Sequence, residues 1–279
     1  MRAMTATNTA PARSFGRQML NKVPEVTLFF WIIKIMCTTV GETAADYLNV
    51  NLGFGLTNTT YFTGALLAVL LLAQFRVRRY VPALYWAVVV AISVFGTLIT
   101  DNMTDAYSIP LTVSTPVFAV ILAAVFATWY AFERTLSIHT IVTTRREAFY
   151  WLAILFTFAL GTAAGDLAAE QLNLGYAVSI GIFGALIGAV TIAHYAFGMN
   201  AILSFWLAYI LTRPLGASIG DELSQNSHTY GGLGLGTTGT SYIFLGCILA
   251  LVTYLSITRR DATETKRQQA QRRPVPDTA

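Results

Sequence analysis

Apolar residues gather into eight runs along this chain, at 28–40, 62–75, 84–100, 117–132, 149–164, 177–197, 201–215 and 242–257. Several are shorter than the roughly 20 residues that cross a bilayer, but flanking Gly, Thr and Ser extend them to that length. Strands of a membrane barrel would instead alternate apolar and polar positions over about 10 residues. These runs do not alternate, so the pattern predicts an all-α integral membrane protein with eight transmembrane helices.

Composition agrees with that reading. Of 279 residues, 55% are hydrophobic and 11% charged, whereas soluble domains carry about 25% charged residues. Cys37 and Cys247 fall inside apolar runs, are too few for a disulfide framework, and read as small packing residues. Residues 1–20 lack a continuous apolar core and a cleavage site, so no secretory signal is expected and the first span directs insertion.

The net charge of +4 matters less than its distribution. Arg2, Arg13, Arg17 and Lys22 precede the first run, Arg76, Arg78 and Arg79 follow the second, and Arg134, Arg145 and Arg146 follow the fourth. Arg259, Arg260, Lys266, Arg267, Arg272 and Arg273 follow the eighth. All of these lie on alternate connections, which places both termini in the cytoplasm by the positive-inside rule. The basic tails can also touch anionic headgroups; nucleic acid is not an expected partner.

A repeat underlies the spans. Trp31, Trp86, Trp151 and Trp206 are each followed ten positions later by Gly41, Gly96, Gly161 and Gly216, and fifteen positions later by Asp46, Asp101, Asp166 and Asp221. Chance would give that pattern to roughly one tryptophan in 500. The first and third units are offset by 120 residues, as are the second and fourth, and Gly64-Ala65-Leu66 recurs at the same offset as Gly184-Ala185-Leu186. Four tandem two-helix units follow, at 23–80, 81–146, 147–199 and 200–258, between a basic N-terminal segment (1–22) and a basic tail (259–279). An even number of helices per unit gives all four one membrane orientation, related about an axis along the membrane normal. Fifteen helical residues rise about 22 Å, so the tryptophans are expected in the cytoplasmic aromatic belt and the aspartates near the outer face. The intervening glycines are expected to permit close helix approach, as are the small-xxx-small pairs Gly161/Gly165 and Gly184/Gly188.

Carboxylates cluster at the outer ends of the odd helices: Glu42 and Asp46, Asp101 and Asp105, Asp166 and Glu170, Asp221 and Glu222. Like charges at i, i+4 repel and invite a cation, a shared proton or a basic partner. Oxygen ligands suit hard divalent ions, and the four repeated aspartates are the candidate metal ligands. The plain alternative for the outermost acids is that they end helices in water.

Two basic residues break the loop pattern, Lys34 and Arg213, both inside predicted spans. Ionisable groups at such depth usually face the bundle interior and need a partner. Glu42 is the expected partner of Arg213, because the first and last units adjoin if the four close around an axis. Lys34 has the alternative of snorkelling to the cytoplasmic headgroups.

Other motifs carry little. Gly216-Ala217-Ser218-Ile219-Gly220 matches G-x-S-x-G but lies in a membrane helix with no histidine partner. Four equivalent aspartates do not make a two-aspartate protease dyad. The glycine-rich stretch 230–236 lacks a P-loop lysine, and His139, His194 and His228 show no metal-ligand spacing. No enzyme activity and no cofactor are expected.

Lys22-Val23-Pro24-Glu25-Val26-Thr27, followed by Phe30-Trp31, Lys34, Gly41-Glu42-Thr43 and Asp46, together with four two-span units each holding a tryptophan, resembles a family of uncharacterised bacterial membrane proteins defined by a four-fold tandem repeat of unknown function. The likeness runs from about Lys22 to Ile257. It implies eight spans in a bacterial inner membrane and brings no catalytic residues. The leading functional expectation is a cation transporter, divalent or proton-coupled, with Glu42 and Arg213 as an internal gate or relay. A proton-coupled transporter of a small organic solute, held by Lys34 and Arg213, and a non-transporting scaffold or regulator are the alternatives.

Overall fold

The computed structural model describes residues 21–226 and 232–261 and, within them, eight long helices and no strand. These are α1 (Leu28–Asp46), α2 (Leu56–Arg76), α3 (Pro82–Asp101), α4 (Leu111–Glu133), α5 (Thr144–Asp166), α6 (Tyr176–Phe197), α7 (Ala201–Ser224) and α8 (Gly236–Thr258). All eight are long and apolar enough to cross a membrane. Most of the basic N-terminal segment and basic tail, His228 and the first part of the glycine-rich stretch lie outside the described residues.

Local chemistry sets the helix starts. Thr27, Thr143 and Asn200 cap α1, α5 and α7 by accepting from first-turn backbone N–H groups. Helix α3 opens on Pro82, whose missing N–H costs nothing in a first turn. α2 and α6 start after Gly55 and Gly175, equivalent repeat positions at φ of +74° and +77°, where a Cβ would be strained.

The helices fall into two populations. Odd helices have 56–67% of their apolar windows buried, even helices only 17–28%. The odd helices form a closed ring, α1 on α3, α3 on α5, α5 on α7 and α7 back on α1. Each even helix leans chiefly on the odd helix of the next unit: α2 on α3, α4 on α5, α6 on α7 and α8 on α1. The two-helix unit of sequence is therefore not the two-helix unit of packing, and this offset interlocks neighbouring repeats.

The repeated glycines make the ring contacts. A Cβ on Gly41 would collide with Ser93, on Gly96 with Phe158, on Gly161 with Arg213 and on Gly216 with Thr38. Each of those four residues stands seven positions after its own tryptophan. One glycine-to-knob contact thus recurs four times and closes the circle between parallel helices. Gly165 also meets Pro214, but Gly184 and Gly188 touch nothing, because α6 is an outer helix.

The tryptophans are not a lipid-facing belt. Trp86, Trp151 and Trp206 are buried and Trp31 half-buried, packed edge-on with Tyr85, Tyr150, Phe205 and Phe30, the residue before each. Tyr85 and Tyr150 bring their hydroxyls within 2.5 Å of each other, and Trp206 donates to the Leu136 carbonyl at 3.0 Å. Each tryptophan also meets the aromatic residue of the preceding unit around the ring, Trp86 on Phe30, Trp151 on Tyr85, Trp206 on Tyr150 and Trp31 on Phe205.

Contacts at the same end tie the chain's extremities to the ring. The Lys22 ammonium is buried 2.6 Å from a Glu147 carboxylate oxygen and also donates to the Gln74 and Phe75 carbonyls at the end of α2. Tyr80 donates to Asp261 at 2.5 Å, while Glu25 N–H donates to the Asp261 carbonyl. Burial pushes the Asp261 carboxyl above its usual range, partly offset by the Tyr80 hydroxyl.

Candidate functional site

Along the ring axis, the repeat positions stack as layers. Beyond the tryptophans lies Lys34, three residues after Trp31, where the other units have Val89, Ile154 and Tyr209. It does not snorkel: it is fully buried, donates to Thr212 Oγ1 at 3.1 Å and sits 4.4 Å from the Phe158 ring centroid and 4.1 Å from that of Tyr209. Two aromatic faces and one hydroxyl are the neighbours of its nitrogen. Among the described residues, Lys34 makes no ion pair.

The next layer holds Arg213. Eleven residues after each tryptophan come Glu42, Thr97, Thr162 and Ala217, and the guanidinium reaches the first three of these. Its Nη2 donates to Glu42 Oε2 at 2.9 Å, to Thr162 Oγ1 at 2.7 Å and to Thr97 Oγ1, while Nη1 donates to the Thr38 carbonyl at 2.8 Å. Gly161 leaves room for the arginine stem, and at the fourth equivalent position Ala217 presents only a methyl group. Arg213 is fully buried and Glu42 nearly so. The first and last units therefore meet through the ion pair that their charges led us to expect.

The four repeated aspartates follow one turn further on. Asp221 is buried, and Asp46, Asp101 and Asp166 are half-buried. Carboxylate oxygens of Glu42, Asp166 and Asp221 lie within 4.8 Å of one another. Asp46 accepts from Gln225 Nε2 at 3.3 Å. In the first three units the α-helix passes at its aspartate directly into a five-residue π turn, Tyr47–Asn51, Asn102–Ala106 and Leu167–Gln171. Such turns concentrate at functional positions. Asp105 and Glu170 sit in these turns, the first exposed, the second accepting from Tyr176 at 2.9 Å.

The electrostatics are lopsided. Two unit charges about 4 Å apart interact by about 4 kcal/mol at an effective dielectric of 20. Glu42, Asp166 and Asp221 have one guanidinium among them, so full ionisation leaves two negative charges uncompensated. Protons or a bound cation complete the charge balance, and carboxylates with hydroxyls are the ligand set of hard cations.

Sequence reasoning brought Glu42, Arg213 and the aspartates into view but missed Thr97 and Thr162, whose signal was their shared register with Glu42. It also treated the histidines as scattered. His139 and His194 instead line one cavity of about 540 Å³, bounded by α1, α6, α7 and the α4–α5 connection. Ser218, of the G-x-S-x-G match, is buried in α7.

No curated protein and no solved structure matches the chain. The family described as Repeat of Unknown Function (DUF347) matches it at residues 29–80, 84–135, 149–200 and 204–261. Four copies in tandem, each carrying one ring helix and one outer helix, make this chain a member of the Repeat of Unknown Function (DUF347) family.

Proposed function

We propose that the protein is a non-enzymatic membrane transporter for a cation, divalent metal or proton-coupled, with Glu42, Asp166 and Asp221 as the binding cage. Asp46 and Asp101 complete the acidic vestibule, and the Arg213–Glu42 pair gates it. The observation that carries this reading is three carboxylates with oxygens within 4.8 Å of one another, of which Glu42 alone is paired with the Arg213 guanidinium among the described residues. Rings of carboxylates draw cations into a pathway. The basic residues on alternate connections support an orientation with both termini in the cytoplasm of a bacterial inner membrane, so that the carboxylate end faces out. The filled aromatic end then separates the vestibule from the cytoplasm.

Fluxes of Mn²⁺, Mg²⁺, Ca²⁺ and protons into proteoliposomes test the proposal. Transport of at least one ion, lost in Asp166→Asn and Asp221→Asn, is expected. No flux of any ion under any imposed gradient overturns it. A second reading, a proton-coupled organic solute transporter, is favoured by one observation, the buried Lys34 without a carboxylate partner among the described residues.

A further inference from the structure

The cavity at the tryptophan end is a local departure from the repeat. Two positions before each tryptophan stand Phe29, Leu84, Phe149 and Ser204. Phe29 packs on Tyr254 of α8, and Phe149 stacks on Trp129 of α4, so in those units a large side chain fills the seam between ring helix and outer helix. In the fourth unit Ser204 turns its hydroxyl back to the Asn200 carbonyl and leaves the seam open. Two positions after each tryptophan, Ala208 stands where α1 and α3 carry Ile33 and Val88 and α5 carries Ala153. The resulting space follows α7 from Ala201 to Thr212, about 16 Å at the helical rise. It has the volume of a small-molecule site.

Its walls are mostly apolar and include no carboxylate, while His139 and His194 stand at its tryptophan-end mouth. Its inner end is Thr212, whose hydroxyl donates to the Tyr209 carbonyl at 2.8 Å and accepts from Lys34 Nζ at 3.1 Å, with Lys34 standing behind the wall. The cavity therefore leads from His139 and His194, along apolar walls, to Thr212, behind which stands the buried Lys34, a residue that makes no ion pair among the described residues. A buried lysine without an anion is costly in a membrane interior, and an anion brought to Thr212 relieves that cost.

From this geometry we infer that the cavity is a binding site for an amphiphilic monocarboxylate, an elongated apolar body with one carboxylate directed at Thr212 and Lys34. The site is separate from the carboxylate cage, and its test does not depend on transport.

Trp31 lines the cavity, so a heavy-atom probe reports occupancy by quenching. The protein in zwitterionic lipid nanodiscs is titrated with ω-bromodecanoate and with ω-bromodecanol, its uncharged twin. Saturable quenching by the acid is expected, with the alcohol weaker by about tenfold or more, the worth of a charge-assisted hydrogen bond. Lys34→Met should abolish the preference for the acid, and Lys34→Arg should keep it. Ser204→Phe, which restores the large side chain of the other units, and Ala208→Val, which adds bulk to the wall, should each remove the saturable component while leaving the elution volume unchanged. Equal quenching by acid and alcohol in the unsubstituted protein marks an acyl-chain groove only and overturns the inference. So does a saturable component that survives both filling substitutions.

Discussion

The two ends of the ring receive the same fourfold repetition and respond in opposite ways. At one end each unit contributes an aromatic pair, and four such pairs interlock around the ring, because apolar groups pack against copies of themselves without penalty. At the other end each unit contributes an aspartate, and four copies of one charge cannot close the axis by packing. Repetition is benign for shape and frustrating for charge. The frustration is met by the residues that break the repeat: Arg213, where other units have Thr38, Ser93 and Phe158, and Glu42, where they have Thr97, Thr162 and Ala217.

The largest predicted effect comes from unbalancing that layer. Glu42→Gln leaves Arg213 buried without its anion and should cost about 3–5 kcal/mol, read as a lowered unfolding midpoint in detergent. Joining it to Arg213→Met should recover most of the loss, because both charges are then gone. Equal, additive losses would mean that the two residues are not coupled.

Next come the ring contacts. Gly216→Val drives a side chain into Thr38 and should cost about 1–3 kcal/mol. Gly184→Val, in open space on α6, should stay within about 0.5 kcal/mol. Similar losses for the two would contradict the division into inner and outer helices.

A smaller change separates the ends by function. Tyr85→Phe removes one partner of the buried hydroxyl pair and should cost about 1 kcal/mol in the same unfolding assay. Ion flux should be unchanged, since this pair belongs to the aromatic end. Smallest is Asp46→Asn, a half-buried group that accepts from Gln225, expected to shift stability by under about 0.5 kcal/mol. Its flux should nevertheless fall, because the vestibule loses charge.

Much of this was legible along the chain. The eight spans follow from apolar run length, and the ring follows from the glycine and aspartate spacing, which only equal depth and close approach explain. Arg213 and Glu42 stood out because charge in an apolar run needs a partner. The facing of the tryptophans was not legible: in a membrane both the inner and the lipid-facing side of a helix are apolar, so hydropathy does not distinguish them. For the same reason Gly184 and Gly188 looked like contact residues. Thr97 and Thr162 were hidden because hydroxyls in membrane helices commonly bond their own backbone, and only the register with Glu42 marks them. Lys22 looked like one more topology charge, and its pairing with Glu147 joins the N-terminal segment to the third unit, which no local pattern connects.

The central claim is that Asp166 and Asp221, together with the Arg213-paired Glu42, bind a cation in place of protons. Calorimetric titration of the purified protein with Mn²⁺, in two buffers of different ionisation enthalpy, measures binding and proton release together. The account predicts saturable binding with net proton release, both lost in Asp166→Asn and in Asp221→Asn. Binding that is absent, or that persists unchanged in both variants, contradicts it.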